Sequence, residues 1–229
     1  MEGAGETREG EELMVSYEAT RRKYRGKMAS GYEAKRRRQI RWSIENATVE
    51  QMLSDLRPGA TLLDCPVGTG RFTELYLRRG IAFTGVDASS EMLDLAREKL
   101  HLRTVSVSVG GKSTVTARVQ EGDATKLDFK SRSFDVAVCV RFLDLIDDET
   151  MRRVVRELTR VARRRIVLTI RLGEKYAPKV NTATHNDKKF RSLISLSGWE
   201  IAEEIPIFGA GWVVMRLERK KENLERSKQ

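Results

Sequence analysis

The sequence predicts an α/β fold: a doubly wound, mainly parallel sheet of seven strands with one antiparallel strand. The first observation is that short apolar runs alternate with segments of helical periodicity, a pattern typical of parallel sheets covered by helices on both faces. The second is that the last two apolar runs have no helix between them, so one strand must be antiparallel. The seven strands are predicted over residues 60–64, 81–87, 114–121, 134–140, 165–172, 200–206 and 212–218.

Two additions to this core are predicted. An N-terminal helical cap is expected from helices over residues 12–27 and 32–56. Polar and apolar residues alternate over 104–109 and again over 114–121, on either side of Gly110-Gly-Lys112. This alternation around a glycine turn predicts an inserted β-hairpin.

The second cap helix has apolar residues near helical spacing, so this face is expected to pack while its arginine-rich face stays in water. These residues are Ile40, Ile44, Ala47, Met52 and Leu56. The other helices are predicted over residues 71–79, 89–100, 148–162 and 187–197, capped in two cases by Ser89 or Ser90 and by Asp187, with a loop over residues 173–186.

The chain is expected to divide into four parts. Residues 1–12 are predicted to be a disordered tail, and residues 13–57 a helical cap or lid. Residues 58–219 are predicted to form the α/β domain, and residues 220–229 a charged C-terminal tail.

The net charge of +10 is concentrated in two segments. Residues 17–41 hold ten Lys or Arg against Glu18 and Glu33, and residues 152–165 hold seven Arg against Glu157. Such segments attract anionic partners such as nucleic acid, lipid or a phosphorylated substrate, or they are solvated helix faces of a basic protein. Both interpretations stay open. If the basic segments do bind a ligand, an anionic substrate would suit them. The sequence does not predict an oligomeric state.

Cysteine and histidine usage indicates a reducing, cytoplasmic setting without a metal centre. Cys65 and Cys139 are too few for a disulfide framework, and with His101 and His185 they show no metal-ligand spacing. No apolar run approaches the roughly 18 residues of a membrane span, and the N-terminus lacks the pattern of a secretory signal.

A glycine loop and three carboxylates mark the expected ligand site. Asp64, Asp87 and Asp123 follow consecutive predicted strands, and ligands of open parallel sheets bind at these carboxyl ends. Gly68 and Gly70 allow close approach of the backbone, but Thr73 stands where a dinucleotide fingerprint needs a third glycine. A ligand that has a ribose but no pyrophosphate therefore fits better than a dinucleotide.

Five segments, in this order, resemble motifs of class I S-adenosylmethionine-dependent methyltransferases. The resemblance covers about residues 60–218 and implies a methyltransferase with S-adenosylmethionine as its cofactor. The first two are Leu62-Leu-Asp-Cys-Pro-Val-Gly-Thr-Gly-Arg71 and Gly85-Val-Asp-Ala-Ser-Ser-Glu-Met-Leu93, followed by Glu121-Gly-Asp-Ala124, Ser133-Phe-Asp-Val-Ala-Val-Cys139 and Lys189-Phe-Arg-Ser-Leu-Ile-Ser-Leu-Ser-Gly-Trp199.

The resemblance also implies roles for single residues. Asp64 would orient the loop or meet the ammonium group of the cofactor, Asp87 would hold its ribose, and Asp123 would accept from its adenine. The full set of implied cofactor residues is Asp64, Pro66, Gly68, Thr69, Gly70, Arg71, Asp87, Ala88, Met92, Asp123, Ala124 and Val140.

The methyl acceptor is predicted only as a class. The segment Cys139-Val-Arg-Phe-Leu143 lacks the prolines of amino-group nucleobase methyltransferases, and neither cysteine sits where a cytosine-C5 nucleophile would. We expect transfer to an N-, O- or S-nucleophile of a small-molecule or lipid-like acceptor. The alternatives are an RNA or protein methyltransferase that uses the basic N-terminal surface, with nucleic acid not favoured, or a non-catalytic partner subunit.

Three residues are candidates for contact with the acceptor. Arg141 and Asp144 follow the predicted fourth strand, where relatives of this fold place substrate-contacting groups, although Asp144 is also suited to cap the next helix. Tyr24 lies among the basic residues of the cap. His185, in the predicted loop before the late helix, is a possible base or an ordinary loop histidine.

Overall fold

A computed structural model of the protein describes residues 40–104, 116–175, 177–179, 182–207, 209 and 211–221. Several predicted features lie wholly or almost wholly outside these ranges. They are the helix over residues 12–27, the two tails, Tyr24 and the residues between 104 and 116. The described strands are β1 (Thr61–Asp64), β2 (Ala82–Asp87), β3 (Ala117–Glu121), β4 (Phe134–Cys139), β5 (Ala162–Gly173), β6 (Ala177–Lys179), β7 (Thr182–Asn186), β8 (Trp199–Pro206) and β9 (Trp212–Arg219).

The predicted seven-stranded sheet is confirmed. Strands β3, β2, β1, β4 and β5 lie side by side in that order and are parallel. Strand β9 pairs with β5 in antiparallel orientation, and β8 pairs with β9. Because β1 lies between β2 and β4, the strand order reverses beside β1, which opens a crevice at the carboxyl ends of these strands.

The prediction of a loop over residues 173–186 was wrong. Strands β6 and β7 pair as a short antiparallel hairpin, and β7 pairs in parallel with the end of β5 at Leu172 and Gly173. This hairpin brings the sheet to nine strands. The sequence of β7, Thr-Ala-Thr-His-Asn, has little apolar character, so it does not stand out from a loop.

Helices cover both faces of the sheet. The described helices are α1 (Ile40–Met52), α2 (Thr73–Arg78), α3 (Ser90–Thr104), α4 (Asp148–Val161) and α5 (Asp187–Leu196), with a 3₁₀ turn at Leu143–Leu145. Apolar side chains of α4 and α5 pack in one core cluster, and those of α1 and α2 pack in a second. Both clusters include alternate residues of the same strands, as the period-2 geometry of a strand requires. The predicted doubly wound arrangement therefore has a separate core on each face.

One helix cap is the predicted residue and two differ. The Ser89 hydroxyl accepts from the Met92 amide at 3.2 Å, which caps α3 as predicted. Asp147, not Asp144, caps α4 by accepting from the Thr150 amide at 2.8 Å. Asn186 caps α5. Asp187, the predicted cap, is instead the first residue of that helix.

The predicted packing face of helix α1 is right at Met52 and Leu56, which are buried and partly buried, and wrong at its other three residues. Ile40 is 76% exposed, Ile44 is 42% exposed, and Ala47 is also exposed. Its buried residues are Trp42, Glu45, Thr48, Val49 and Met52. The spacing of apolar residues misleads here because this helix buries polar groups that are paired with arginines of the domain. No helix in the described ranges is both long and apolar enough to cross a membrane.

Arg165 joins the end of α1 to the sheet. From β5 its guanidinium donates to Glu218 at 2.7 Å, to the Met52 carbonyl at 3.0 Å and to both carboxylate oxygens of Asp55. The hydrogen bond and charge of Arg165 lower the pKa of Asp55 to about 2. The arginine-rich segment that ends at this residue is largely ion-paired, through Arg152, Arg153, Arg160, Arg163 and Arg165.

We predict that Arg165→Gln lowers the free energy of unfolding by about 2–3 kcal/mol, because it leaves Glu218 and a backbone carbonyl without their partner. Urea denaturation measures the change. Arg78→Gln is the matched control, since the Arg78–Glu50 pair also reaches α1 but is exposed, and its loss should cost less than about 0.5 kcal/mol. Equal effects of the two substitutions would contradict a special role for the buried junction.

Candidate active site

The loop after β1 takes a conformation that requires glycine at two positions. Gly68 and Gly70 have φ values of 54° and 71°, in the left-handed region. A Cβ on Gly70 would lie 2.7 Å from the Thr73 hydroxyl and 3.3 Å from Ala96 of α3. The loop is therefore packed against the start of α2 and against α3, with its backbone exposed towards the crevice. The Cys65-Pro66 peptide bond in this loop is cis.

Asp87, at the end of β2, is hydrogen-bonded to that loop. One carboxylate oxygen accepts from the Gly68 amide at 2.8 Å, and the other accepts from the Ser89 amide at 2.9 Å. Burial raises the pKa of Asp87, while these backbone hydrogen bonds act to lower it. Asp87 also lines the crevice, and a carboxylate has about four acceptor positions, so it can still accept from a ligand hydroxyl.

Asp64, at the end of β1, is a buried carboxylate in the same crevice. It is 3% exposed and accepts a hydrogen bond from the Tyr76 hydroxyl at 3.1 Å. Burial raises its pKa to about 7, despite the opposing effects of Tyr76 and Arg71. Asp64 is therefore an acid whose charge changes near neutral pH and which a nearby cationic group would ionise.

Arg71 links the glycine loop to α1. Its guanidinium donates to Glu45 at 2.6 Å, to Asn46 at 2.7 Å and to the Trp42 carbonyl at 3.1 Å. It also lies 3.5 Å from the centroid of the Trp42 ring. These contacts explain why α1 buries Trp42 and Glu45 rather than its isoleucines.

The crevice encloses about 960 Å³, including space continuous with solvent. Most of the predicted cofactor residues line it. These are Asp64, Pro66, Gly68, Thr69, Arg71, Asp87, Ala88, Met92, Ala124 and Val140, and Arg141 lines it as well.

Three predicted site residues do not line the cavity. Gly70 contacts α3 instead, and the Asp123 carboxylate accepts from the Thr125 amide and hydroxyl, both at 2.7 Å. Gly122 lines the cavity in place of Asp123. Asp144 lies in the 3₁₀ turn with no exposed surface. We therefore assign Asp144 no contact with an acceptor.

Sequence reasoning missed several residues of the cavity wall. They are Trp42, Cys65, Val67, Phe72, Ser89, Gly122, Phe142 and Leu145. Most flank a predicted residue directly, so adjacency in the motifs is a signal that could have found them. Trp42 has no such signal, because it belongs to a helix outside the motifs.

The remaining candidates, one histidine and two cysteines, are buried. Both nitrogens of the fully buried His185 are engaged: Nε2 donates to the Leu143 carbonyl at 2.7 Å, and Nδ1 lies 2.6 Å from Asp148. Cys65 and Cys139 are buried, and burial raises the pKa of both thiols. The described residues contain no cluster of His, Cys, Asp and Glu able to hold a metal ion.

Comparison with known proteins agrees with this geometry. The family described as "Methyltransferase domain" matches residues 63–169. This match spans β1 to β5 and the glycine loop between β1 and α2. The methyltransferase fold extends beyond the matched segment: the magnesium protoporphyrin IX methyltransferase of Synechocystis PCC 6803, solved with bound S-adenosylhomocysteine, superposes with a TM-score of 0.69 at 15% identity over 89% of this chain and 99% of that chain.

Two curated methyltransferases share sequence with this chain. The phosphatidylethanolamine N-methyltransferase of Cereibacter sphaeroides is 37% identical over 46% of this chain and 47% of its own length. The demethylmenaquinone methyltransferase of Thermotoga maritima is 34% identical over 53% of this chain and 47% of its own length. The chain thus matches about half the length of each relative.

The raised pKa of Asp64 predicts that the stability of the protein depends on pH. Because its pKa is raised above the usual value near 4, the folded state binds the proton more tightly than the unfolded state. The free energy of unfolding of the ligand-free protein should therefore fall as the pH rises from about 4 to about 7. We predict that Asp64→Asn removes this contribution and is more stable than the parent protein by a few kcal/mol at pH 8.

Thermal unfolding at several pH values between 5 and 8 measures this difference. The advantage of the variant should shrink towards pH 5, where Asp64 is neutral in the folded protein. A difference that is the same at pH 5 and pH 8 would contradict the role of a buried charge at this position.

Proposed function

We propose that the protein transfers the methyl group of S-adenosylmethionine to an N-, O- or S-nucleophile of a small-molecule or lipid-like acceptor. The observation that supports this most directly is the pair of hydrogen bonds that Asp87 accepts from the Gly68 and Ser89 amides. They lie at the carboxyl ends of the strands, where the strand order reverses. They place a carboxylate with spare lone pairs beside a side-chain-free backbone, which suits a ribose with two hydroxyls.

The rest of the cavity is complementary to the other parts of the cofactor. Asp64 is placed to meet its ammonium group, and this contact would ionise the carboxylate. An apolar part of the cavity wall suits a flat base and is formed by Met92, Gly122 and Ala124. Bound there, the cofactor supplies an electrophilic methyl group on a sulfonium.

The contribution of the chain to catalysis is alignment and exclusion of water. Beyond the glycine loop the cavity continues along Val140, Arg141, Phe142 and Leu145, which follow β4. An acceptor on this wall would meet the methyl group from a fixed direction, and proximity alone accounts for large rate gains in such transfers. No carboxylate of this wall lines the cavity among the described residues, so we assign no general base.

The cavity wall and the relatives both support this class of acceptor. Three of its four residues are apolar, which suits a hydrocarbon-bearing acceptor. The relatives named above are methyltransferases for phosphatidylethanolamine and demethylmenaquinone, both lipids. The arginine-rich segment of α4 and β5 is mostly ion-paired, which gives a nucleic-acid acceptor no particular support.

Cofactor binding is tested by thermal unfolding with S-adenosylmethionine or S-adenosylhomocysteine. At a ligand concentration about 100 times Kd, the unfolding free energy should rise by roughly 2.7 kcal/mol, and Asp87→Ala should abolish this gain. Asp94→Ala is the control, because Asp94 lies on the solvent side of α3 and pairs only with Arg97 among the contacts described. Stabilisation by NAD instead, or a full response in Asp87→Ala, would rule the cofactor site out.

Methyl transfer is tested with S-adenosylmethionine labelled on its methyl group. The full chain is incubated with detergent micelles of phosphatidylethanolamine, with demethylmenaquinone and with fractionated cell extract. We expect label in a lipid-soluble fraction and none with Asp87→Ala. Label found only in protein or RNA would overturn the proposed acceptor class while leaving the cofactor site intact.

A further inference from the structure

We propose that the cofactor binds in exchange for a proton: its ammonium group pairs with Asp64, and the proton that Asp64 carries is released to water. The inference rests on the proposed function, because it takes S-adenosylmethionine as the ligand of the cavity. It adds two properties to that function. Cofactor affinity depends on pH, and the part of the cavity beside Asp64 selects ligands that carry a cationic group.

Two buried carboxylates, Asp64 and Asp87, line the same cavity and are held differently. Asp87 accepts from the backbone amides of Gly68 and Ser89, and these hydrogen bonds favour its charged form. Asp64 accepts one hydrogen bond, from the Tyr76 hydroxyl to Oδ2 at 3.1 Å, and its oxygens have no other partner among the described residues. Asp64 is therefore the carboxylate of this pair that takes up a proton more readily.

The groups around Asp64 do not keep it ionised. Burial raises the pKa of Asp64 to about 7, and the charge of Asp87 acts in the same direction. The Tyr76 hydroxyl of α2 and the Arg71 guanidinium of the glycine loop oppose this shift without cancelling it. Burial and the charge of Asp64 raise the pKa of the Cys139 thiol of β4, which therefore contributes no charge. The ligand-free cavity thus holds a proton on Asp64 at pH values below about 7.

An ammonium group beside Asp64 reverses this balance. A positive charge next to a buried carboxylate favours the ionised form, and the resulting charge-assisted hydrogen bond is stronger than one to a neutral acid. An α-amino group stays protonated up to a pH of about 7.7, so the proton that leaves comes from Asp64. Binding that releases a proton is favoured at low proton concentration. Affinity should therefore rise with pH up to about 7 and then level off.

The same exchange distinguishes among adenosine derivatives. S-adenosylmethionine and S-adenosylhomocysteine both carry the ammonium group, whereas 5′-methylthioadenosine has the base and the ribose without it. Methylthioadenosine leaves the proton on Asp64, so its affinity should not follow pH in this range. All three ligands offer the same ribose hydroxyls to Asp87, which separates recognition of the ribose from the proton exchange.

The test is titration calorimetry of the full chain with S-adenosylhomocysteine, in two buffers that differ in their enthalpy of ionisation. Comparison of the two buffers gives the number of protons released. We expect more than about half a proton at pH 6.5, less at pH 7.5, and none with 5′-methylthioadenosine. From pH 5.5 to pH 7.5 the affinity for S-adenosylhomocysteine should rise by about tenfold or more, and that for methylthioadenosine should change by less than about twofold.

Two variants locate the proton. Asp64→Asn cannot ionise, so it should bind S-adenosylhomocysteine without proton release and with an affinity that is independent of pH. Asp94→Asn is the control, because this exposed carboxylate of α3 pairs with Arg97, and it should release the proton as the parent protein does.

Three results would overturn the exchange: no proton release in the parent protein, equal release with both ligands, or release that persists in Asp64→Asn. Failure of the parent protein to bind S-adenosylhomocysteine at every pH would overturn the proposed function instead, so the two failures are distinct.

Discussion

The hydrogen bond from the Gly68 amide to the Asp87 carboxylate joins the two halves of the cavity floor. It links the turn after β1 to the end of β2, and the same carboxylate fixes the Ser89 amide where α3 begins. The left-handed glycines make this contact possible, since any side chain at Gly70 would strike Thr73 or α3. The glycine loop and the start of α3 are therefore positioned relative to one carboxylate.

Helix α1 is attached to the domain by arginines as much as by apolar packing. Arg71 reaches it from the glycine loop, and Arg165 reaches it from β5. Both guanidiniums bind backbone carbonyls as well as carboxylates, so they fix the direction of the helix and not only its distance. Because Arg71 also lines the cavity, a shift of α1 would change the position of the glycine loop.

The sheet and most of the residues on the cavity floor could be predicted from the sequence. Buried parallel strands are continuous apolar runs, so their positions along the chain and the position of Asp87 at a strand end were predictable. The packing face of α1 was not, since it depends on Glu45 meeting an arginine 26 residues away. The hairpin of β6 and β7 was missed because its residues carry no alternation, and Gly122 was missed because Asp123 beside it carries the more visible functional group.

The contacts of His185 tie the β6–β7 hairpin to the wall that follows β4. Through Nε2 it donates to the carbonyl of Leu143, which directly follows Phe142 and lies two residues before Leu145 of the cavity. The glycine loop and Asp87 come from the first half of the domain, whereas this support comes from a hairpin late in the chain. Changes in the hairpin can thus reshape one side of the cavity while the glycine loop stays the same. Such a division would let related proteins diverge in what they modify without rebuilding how they bind their cofactor.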